Sequence, residues 1–419
     1  MSHFVSYYYD VQSVLEENKT SQTGLSIDLS QKGISLRQAQ DLSQFLLKCK
    51  QITYFVLSLM GNKIGIESSK ALGFCFQNSA NIKILTISLG MNEIRDEGLI
   101  HFAKGLAHLK DMTYLSFYLV SNKITAEGAS KLGVYLGECT NLNNLTVGLS
   151  DNRIGFVGAQ NFVSALSNCQ KLTELTLEFM YNKLNDKDLS TGFSFQNFQL
   201  LKNLSIKLDN NKISTLGASS LGNSLASLKN LTSLNISLNE NRVDCEGFSQ
   251  ICSSIQSMTN LSQLKLYLRS NKIKSQGLQA FRSALDKCQN IRELIIYLDS
   301  NKIDNLGIFY LGSALAKHKR IVFLTILLEY NYFDRKSLFK FKNQMKKSRS
   351  LLLYEFDLDI FIINNDYQEL VYDSADEESY DDSDSDSDNK DSLKQNQNEI
   401  EDQYSQGENI QSDNEEDNA

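Results

Sequence analysis

The 419-residue chain has no proline and no tryptophan, only four histidines, and seven cysteines without one Cys-x-x-Cys pair. The first two absences accompany an abundance of Asn, Lys, Ile, Ser, Phe and Tyr, a bias that A/T-rich codons produce, and carry no functional content. The cysteine spacing excludes a dithiol redox motif and the common zinc patterns, since Cys245 and Cys252 lie seven apart with no histidine near them. His3, His101, His108 and His318 have no recurring partners, and the last three are expected inside helices. Phosphate-loop, dinucleotide-binding, zinc-protease and nucleophile-elbow motifs are missing. A non-enzymatic protein with no catalytic residues, no cofactor and no metal is therefore expected. Neither an N-terminal apolar leader nor a run of transmembrane length occurs, so the expected location is cytoplasmic.

What the chain does contain is a rhythm. Asn62, Asn92, Asn122, Asn152, Asn182, Asn211, Asn241, Asn271, Asn301 and Asn331 stand thirty residues apart, with a single step of twenty-nine. Residues seven, five and three places before each asparagine are apolar in every copy, from Phe55, Leu57 and Leu59 to Leu324, Ile326 and Leu328. That alternation predicts a strand with one buried face. After the asparagine the spacing changes to pairs four apart, such as Leu132/Leu136 and Phe281/Leu285, the pattern of an amphipathic helix. Each unit is thus read as strand, tight turn and helix, and such units must stack to bury their apolar faces.

Runs such as LTSLNISLNENRV (231–243) and LSQLKLYLRSNKI (261–273) resemble the leucine-rich-repeat family, in particular its ribonuclease-inhibitor-like class. The resemblance implies an α/β solenoid, a horseshoe with parallel strands on the concave face and helices on the convex face. It implies also that the asparagines form a buried, structural ladder. The first apolar residue lies ten places before the asparagine where the family has eight, so strands one dipeptide longer are expected. We divide the chain into an N-terminal flank or cap (1–23), a solenoid of about eleven repeats and a terminal strand (24–360), and a disordered acidic tail (361–419). Cys49, Cys139, Cys169 and Cys288 recur at one place in the repeat and read as packing; the sequons at Asn144, Asn203, Asn230, Asn235 and Asn260 recur near strand starts and read as repeat grammar.

Charge divides the chain. Residues 364–419 hold 20 acidic and 2 basic side chains, leaving 30 acidic and 40 basic in residues 1–363. Ser374, Ser379, Ser383, Ser385 and Ser412 each have an acidic residue three places on, a pattern that looks like sites of acid-directed kinases. In the body, a Lys or Arg directly follows the asparagine in eight of ten repeats, and Arg153, Lys183, Lys212, Arg242, Lys272 and Lys302 are expected along one basic rim. Acidic residues a few places on, Glu67, Glu127, Asp186, Asp244 and Asp304, are expected to neutralise part of it.

A protein partner is expected on the concave face, where the outward strand positions include Tyr118, Glu178, Lys207, Lys265, Tyr267, Arg269, Tyr297, Asp299 and Leu327, with Tyr330 at the rim. Tyrosine and arginine supply most interface hot spots, which singles out the C-terminal third. The expected function is a monomeric scaffold or adaptor, with no membrane contact and with nucleic acid disfavoured for want of interleaved aromatics. The alternative is a GTPase activator similar to the Ran-type activators, which pair such a horseshoe with an acidic tail and which LSDNRIG (149–155) resembles.

Overall fold

A computed structural model describes residues 5–16, 22–186, 192–346 and 353–357. Among these, one parallel sheet runs in chain order through β1 (Val5–Tyr8), β2 (Gly24–Asp28), β3 (Tyr54–Ser58), β4 (Ile84–Ser88), β5 (Tyr114–Tyr118), β6 (Asn144–Gly148), β7 (Glu174–Glu178), β8 (Asn203–Lys207), β9 (Ser233–Ser237), β10 (Gln263–Tyr267), β11 (Glu293–Tyr297), β12 (Phe323–Leu327) and β13 (Leu353–Asp357). Facing residues are thirty apart, as in Phe55↔Leu85 and Leu264↔Leu294, so the sequence period is the sheet's register. β1 belongs to the segment read as a flank, where no repeat signal marks it, and it pairs with β2 from Val5↔Gly24 to Tyr8↔Ile27. The acidic segment 361–419, with its five candidate phosphorylation serines, lies outside the described residues.

Helices α1 (Val11–Glu16), α2 (Leu36–Lys48), α3 (Gly65–Cys75), α4 (Arg95–Leu106), α5 (Ala126–Leu136), α6 (Gly155–Ala165), α7 (Thr215–Leu225), α8 (Cys245–Ile255), α9 (Lys274–Lys287), α10 (Asn305–Lys317) and α11 (Arg335–Lys346) close the turns. The alternating strand residues and one face of each helix meet in a continuous core, with Leu132, Leu136, Phe281 and Leu285 all buried. Burying a side chain of this size contributes about 1.5–3 kcal/mol, but only where the next turn covers it. Close approach between turns explains the recurring glycine six places after the asparagine. At Gly158 an added Cβ would stand 2.7 Å from Ala126 Cα of the preceding turn. From β2 onward the strands are five residues each where longer ones were expected. The extra length continues as inter-turn hydrogen bonds on either side, from Thr53 N–H to Thr23 C=O (2.8 Å) and from Gly61 N–H to Gly90 C=O (2.9 Å).

The asparagines form the ladder that the resemblance implies. In every turn Nδ2 donates to the carbonyl three places before the equivalent position of the preceding turn, from Leu29 to Leu298, at 2.7–3.0 Å. Oδ1 accepts the backbone N–H two places after that position, from Ile34 to Ile303, at 2.9–3.3 Å. The residue just before each asparagine has positive φ, including Tyr181, Glu240 and Tyr330 at 53–55°. For a side chain other than glycine this conformation costs roughly 1–2 kcal/mol, which the ladder bonds offset.

One turn departs from the strand–turn–helix reading. Between β7 and β8 the described residues contain no α-helix, and Phe193, Phe195 and Phe198 are buried in its place, with ring centroids 5.9 and 6.2 Å apart. These phenylalanines are two and three apart rather than four, a spacing that an extended path buries and a helix does not. The twenty-nine-residue step falls in this turn, so Glu174↔Asn203 restores the register.

Candidate interaction surface

On the helix-free face, the last residue of each strand forms a row across the sheet: Tyr118, Gly148, Glu178, Lys207, Ser237, Tyr267, Tyr297 and Leu327, each beside the next. Six of the ten residues expected to bind a partner lie in this row, Tyr118, Glu178, Lys207, Tyr267, Tyr297 and Leu327, and Lys265 and Arg269 lie two residues to either side of Tyr267. They fall into two groups. In the first, the Tyr118 ring lies over Gly148, where a Cβ would meet its Cδ1 at 2.9 Å, and Lys207 pairs with Glu178 at 2.7 Å. In the second, Tyr267 and Tyr297 meet edge to face with centroids 4.8 Å apart. Lys265 reaches Glu293 at 2.6 Å, Leu327 stands beside Tyr297, and Arg269 is exposed. Next to Lys265, the Oδ1 of Asn235 is enclosed and accepts no hydrogen bond.

Asp299 is placed differently from the expectation, whereas Tyr330 stands at the rim as expected. Asp299 is 5% exposed, and its Oδ1 accepts the Glu329 N–H at 2.9 Å. Asp209 does the same for Asn239 N–H (3.0 Å), and Asn239 for Arg269 N–H (2.9 Å), so three short acceptors two places before the ladder position build a second, partial ladder. Their shared place in the repeat is the signal that sequence reading passed over. Tyr330, 47% exposed, sits on the turn beyond the strand, where φ of 53° carries it off the sheet face.

All six residues of the expected basic rim are exposed. Their backbone remains tied to the neighbouring turn at Arg153, Lys212, Arg242 and Lys272, whose N–H groups donate to Ile124, Leu184, Ile213 and Val243 carbonyls at 2.7–2.8 Å. The expected neutralisation is not what most of the nearby carboxylates do. Asp186 accepts from Ser214 N–H (3.2 Å), Asp244 caps α8 through Gly247 N–H (2.9 Å), and Asp304 caps α10 through Leu306 N–H (2.9 Å), while Glu67 goes to Lys70. A carboxylate at a helix N-terminus answers several unpaired N–H groups at once, which a mobile surface lysine does not match. Lys123 does pair, with Glu93 of the preceding turn at 2.9 Å. The segment LSDNRIG is mostly structural: Leu149, Ser150, Asn152 and Ile154 are buried, leaving Asp151 and Arg153 exposed.

Cys49, Cys139, Cys169 and Cys288 are free and buried, and each Sγ lies 3.0–3.5 Å from a backbone carbonyl. Burial pushes the Cys139 and Cys288 thiols up to about 11, which holds them as unreactive thiols. His318 takes the cysteine's place in its turn, just past the end of α10 rather than within it, and is 2% exposed. Its Nε2 stands 3.0 Å from the Cys288 carbonyl, and burial holds its pKa below the usual value. Among the described residues no group of three or more His, Cys, Asp or Glu is arranged to hold a metal ion, and no helix is long and apolar enough to cross a membrane.

A family model described as "Leucine Rich repeat" matches residues 80–103, the span of β4, Asn92 and the start of α4. No curated protein matches the sequence. Among solved structures, the chain is similar to a tropomodulin C-terminal domain from Caenorhabditis elegans (16% identity, 38% of this chain and 93% of that one, TM-score 0.31). It is similar also to the TLR13–ssRNA13 complex (17%, 75% and 37%, 0.42) and to the Rad7–Elc1 complex from yeast (13%, 78% and 72%, 0.41). A chain that repeats one strand-and-ladder unit ten times, and matches the family model within one of those units, is a leucine-rich-repeat protein.

Proposed function

We propose that the protein is a non-enzymatic scaffold or adaptor that binds a protein partner on the helix-free face of β10, β11 and β12. The observation that carries this reading is the Tyr267–Tyr297 pair, two half-buried rings 4.8 Å apart on neighbouring strands, flanked by Lys265, Arg269, Ile295 and Leu327. Rings held by a rigid sheet offer large amphipathic area at little further entropic cost on binding. Tyr118, Glu178 and Lys207 extend the same row, but with Glu178 and Lys207 already paired to each other they contribute shape more than energy.

Affinity capture with the intact chain tests the reading. Replacing Tyr267, Arg269 and Tyr297 by alanine together should abolish capture of partners retained by the wild type, with the melting temperature little changed. Asp299→Ala should do the reverse, lowering stability by about 1–3 kcal/mol through the orphaned Glu329 N–H while leaving capture intact. Undiminished capture by the triple variant would refute the placement.

A further inference from the structure

We propose that the rim from Arg153 to Lys302 is a second docking surface, for an acidic polypeptide segment lying across the stacked turns. Six consecutive turns each present one exposed cation directly after the ladder asparagine, and among the described residues none of the six has an ion-pair partner within 4 Å. The carboxylates that follow them by two or three places, Asp186, Asp244 and Asp304, are committed to serine and threonine hydroxyls and to backbone N–H groups. The stripe has a defined beginning: in the preceding turns Lys123 is paired with Glu93, which Lys63 also draws toward its charged form. It ends at Tyr330 and Tyr332, exposed on either side of the last ladder asparagine.

The spacing is fixed by the fold. Parallel bridges Thr125↔Arg153, Asn185↔Lys212 and Asp244↔Lys272 carry strand-like pairing out to the rim, so these cations are held about 4.8 Å apart per turn. Five such steps span roughly 24 Å, the reach of an extended peptide of about eight residues. Between the cations stand Asp151, Tyr181, Asn210, Glu240, Ser270 and Ser300, exposed or half-buried. One aromatic and two carboxylates among these six do not make a stacking platform for nucleobases, whereas carboxylate side chains need only the cations. An acidic polypeptide therefore fits better than a nucleic acid.

The test uses the full chain and a fluorescent poly-glutamate peptide of about eight residues, with an oligonucleotide of equal charge beside it. Binding to the peptide at low salt is expected, weakening as salt is raised. Lys212→Glu with Lys272→Glu should weaken it at least tenfold, while Lys104→Glu with Lys317→Glu, exposed helix lysines that change the net charge equally, should leave it within about twofold. All four positions are exposed, and circular dichroism should show both variants folded. Equal weakening by both pairs would mean bulk attraction and overturn the site. Tighter binding of the oligonucleotide would overturn the partner class, and no peptide binding at low salt would overturn the proposal outright.

Discussion

Asn152 offers the sharpest test of what holds the turns together. Its Oδ1 accepts N–H groups of Asn122 (3.0 Å) and Ile124 (2.9 Å), and its Nδ2 donates to the Leu119, Leu149 and Ser150 carbonyls at 2.9–3.1 Å. Asn152→Ala leaves two buried donors without an acceptor, at about 1–3 kcal/mol each; the carbonyls, with a second lone pair, lose less. The expected loss is therefore about 2–6 kcal/mol, a large part of the 5–15 kcal/mol typical of a domain. Because each turn touches only its neighbours, the damage should fall at the interface of the turns carrying Asn122 and Asn152, splitting urea unfolding into two transitions. Asn152→Asp refines the reasoning. The introduced carboxyl keeps the acceptor but turns a second oxygen toward three carbonyls, so its pKa in the folded state is raised. Such a variant is most stable below the ordinary carboxyl pKa and loses stability as pH rises through it toward the raised value. A loss under about 1 kcal/mol for alanine, or an aspartate variant most stable at neutral pH, would refute the ladder argument.

Two further outcomes are expected. Gly105→Ala drives a Cβ into the Gly73 carbonyl where α4 packs on α3, so thermal unfolding should show a loss of about 1–3 kcal/mol, and an unchanged melting temperature would show that the helices can part freely. His318 is buried and its folded-state pKa is lowered, so the unfolded chain takes up a proton that the folded chain refuses. Its contribution is full above about pH 6.5 and is lost as pH falls below it, with a slope of at most about 1.4 kcal/mol per pH unit that His318→Leu should remove from the stability profile.

The fold was legible because its determinants repeat. Leu57, Ile87 and Asn92 declare the same strand and the same ladder every thirty residues, and a pattern stated ten times survives local noise. Four features escaped for physical reasons. β1 makes a single parallel pairing and carries no ladder asparagine, so nothing periodic marks it. That the described residues between β7 and β8 form no α-helix is visible only in the spacing of Phe193, Phe195 and Phe198, which looks apolar enough for a helix until the intervals are counted. Asp299 reads as an outward acid, and only the register of the neighbouring turn brings the Glu329 N–H to it. The acids near the basic rim had two available partners, lysine or helix start, and sequence separation does not decide between them.

That last ambiguity bears on where function can reside in such an array. Any polar side chain whose position in the repeat brings it near a backbone group of the next turn is drawn into structure, because the solenoid stacks thirty-residue units and leaves backbone groups open at each interface. The asparagines, Asp209, Asn239 and Asp299 are consumed in this way, and Asp244 and Asp304 are taken up by the helix starts of their own turns. The row containing Tyr118, Glu178, Lys207, Tyr267, Tyr297 and Leu327 points away from every helix, and the residues after the asparagines point past the rim. Side chains there change without disturbing a ladder bond, so binding can be set turn by turn at little cost to stability. It follows that two surfaces meeting along one edge, an aromatic one on β10 to β12 and a cationic one from Arg153 to Lys302, can be altered separately. A variant of either that lowers binding and stability together would place its residues in the scaffold instead.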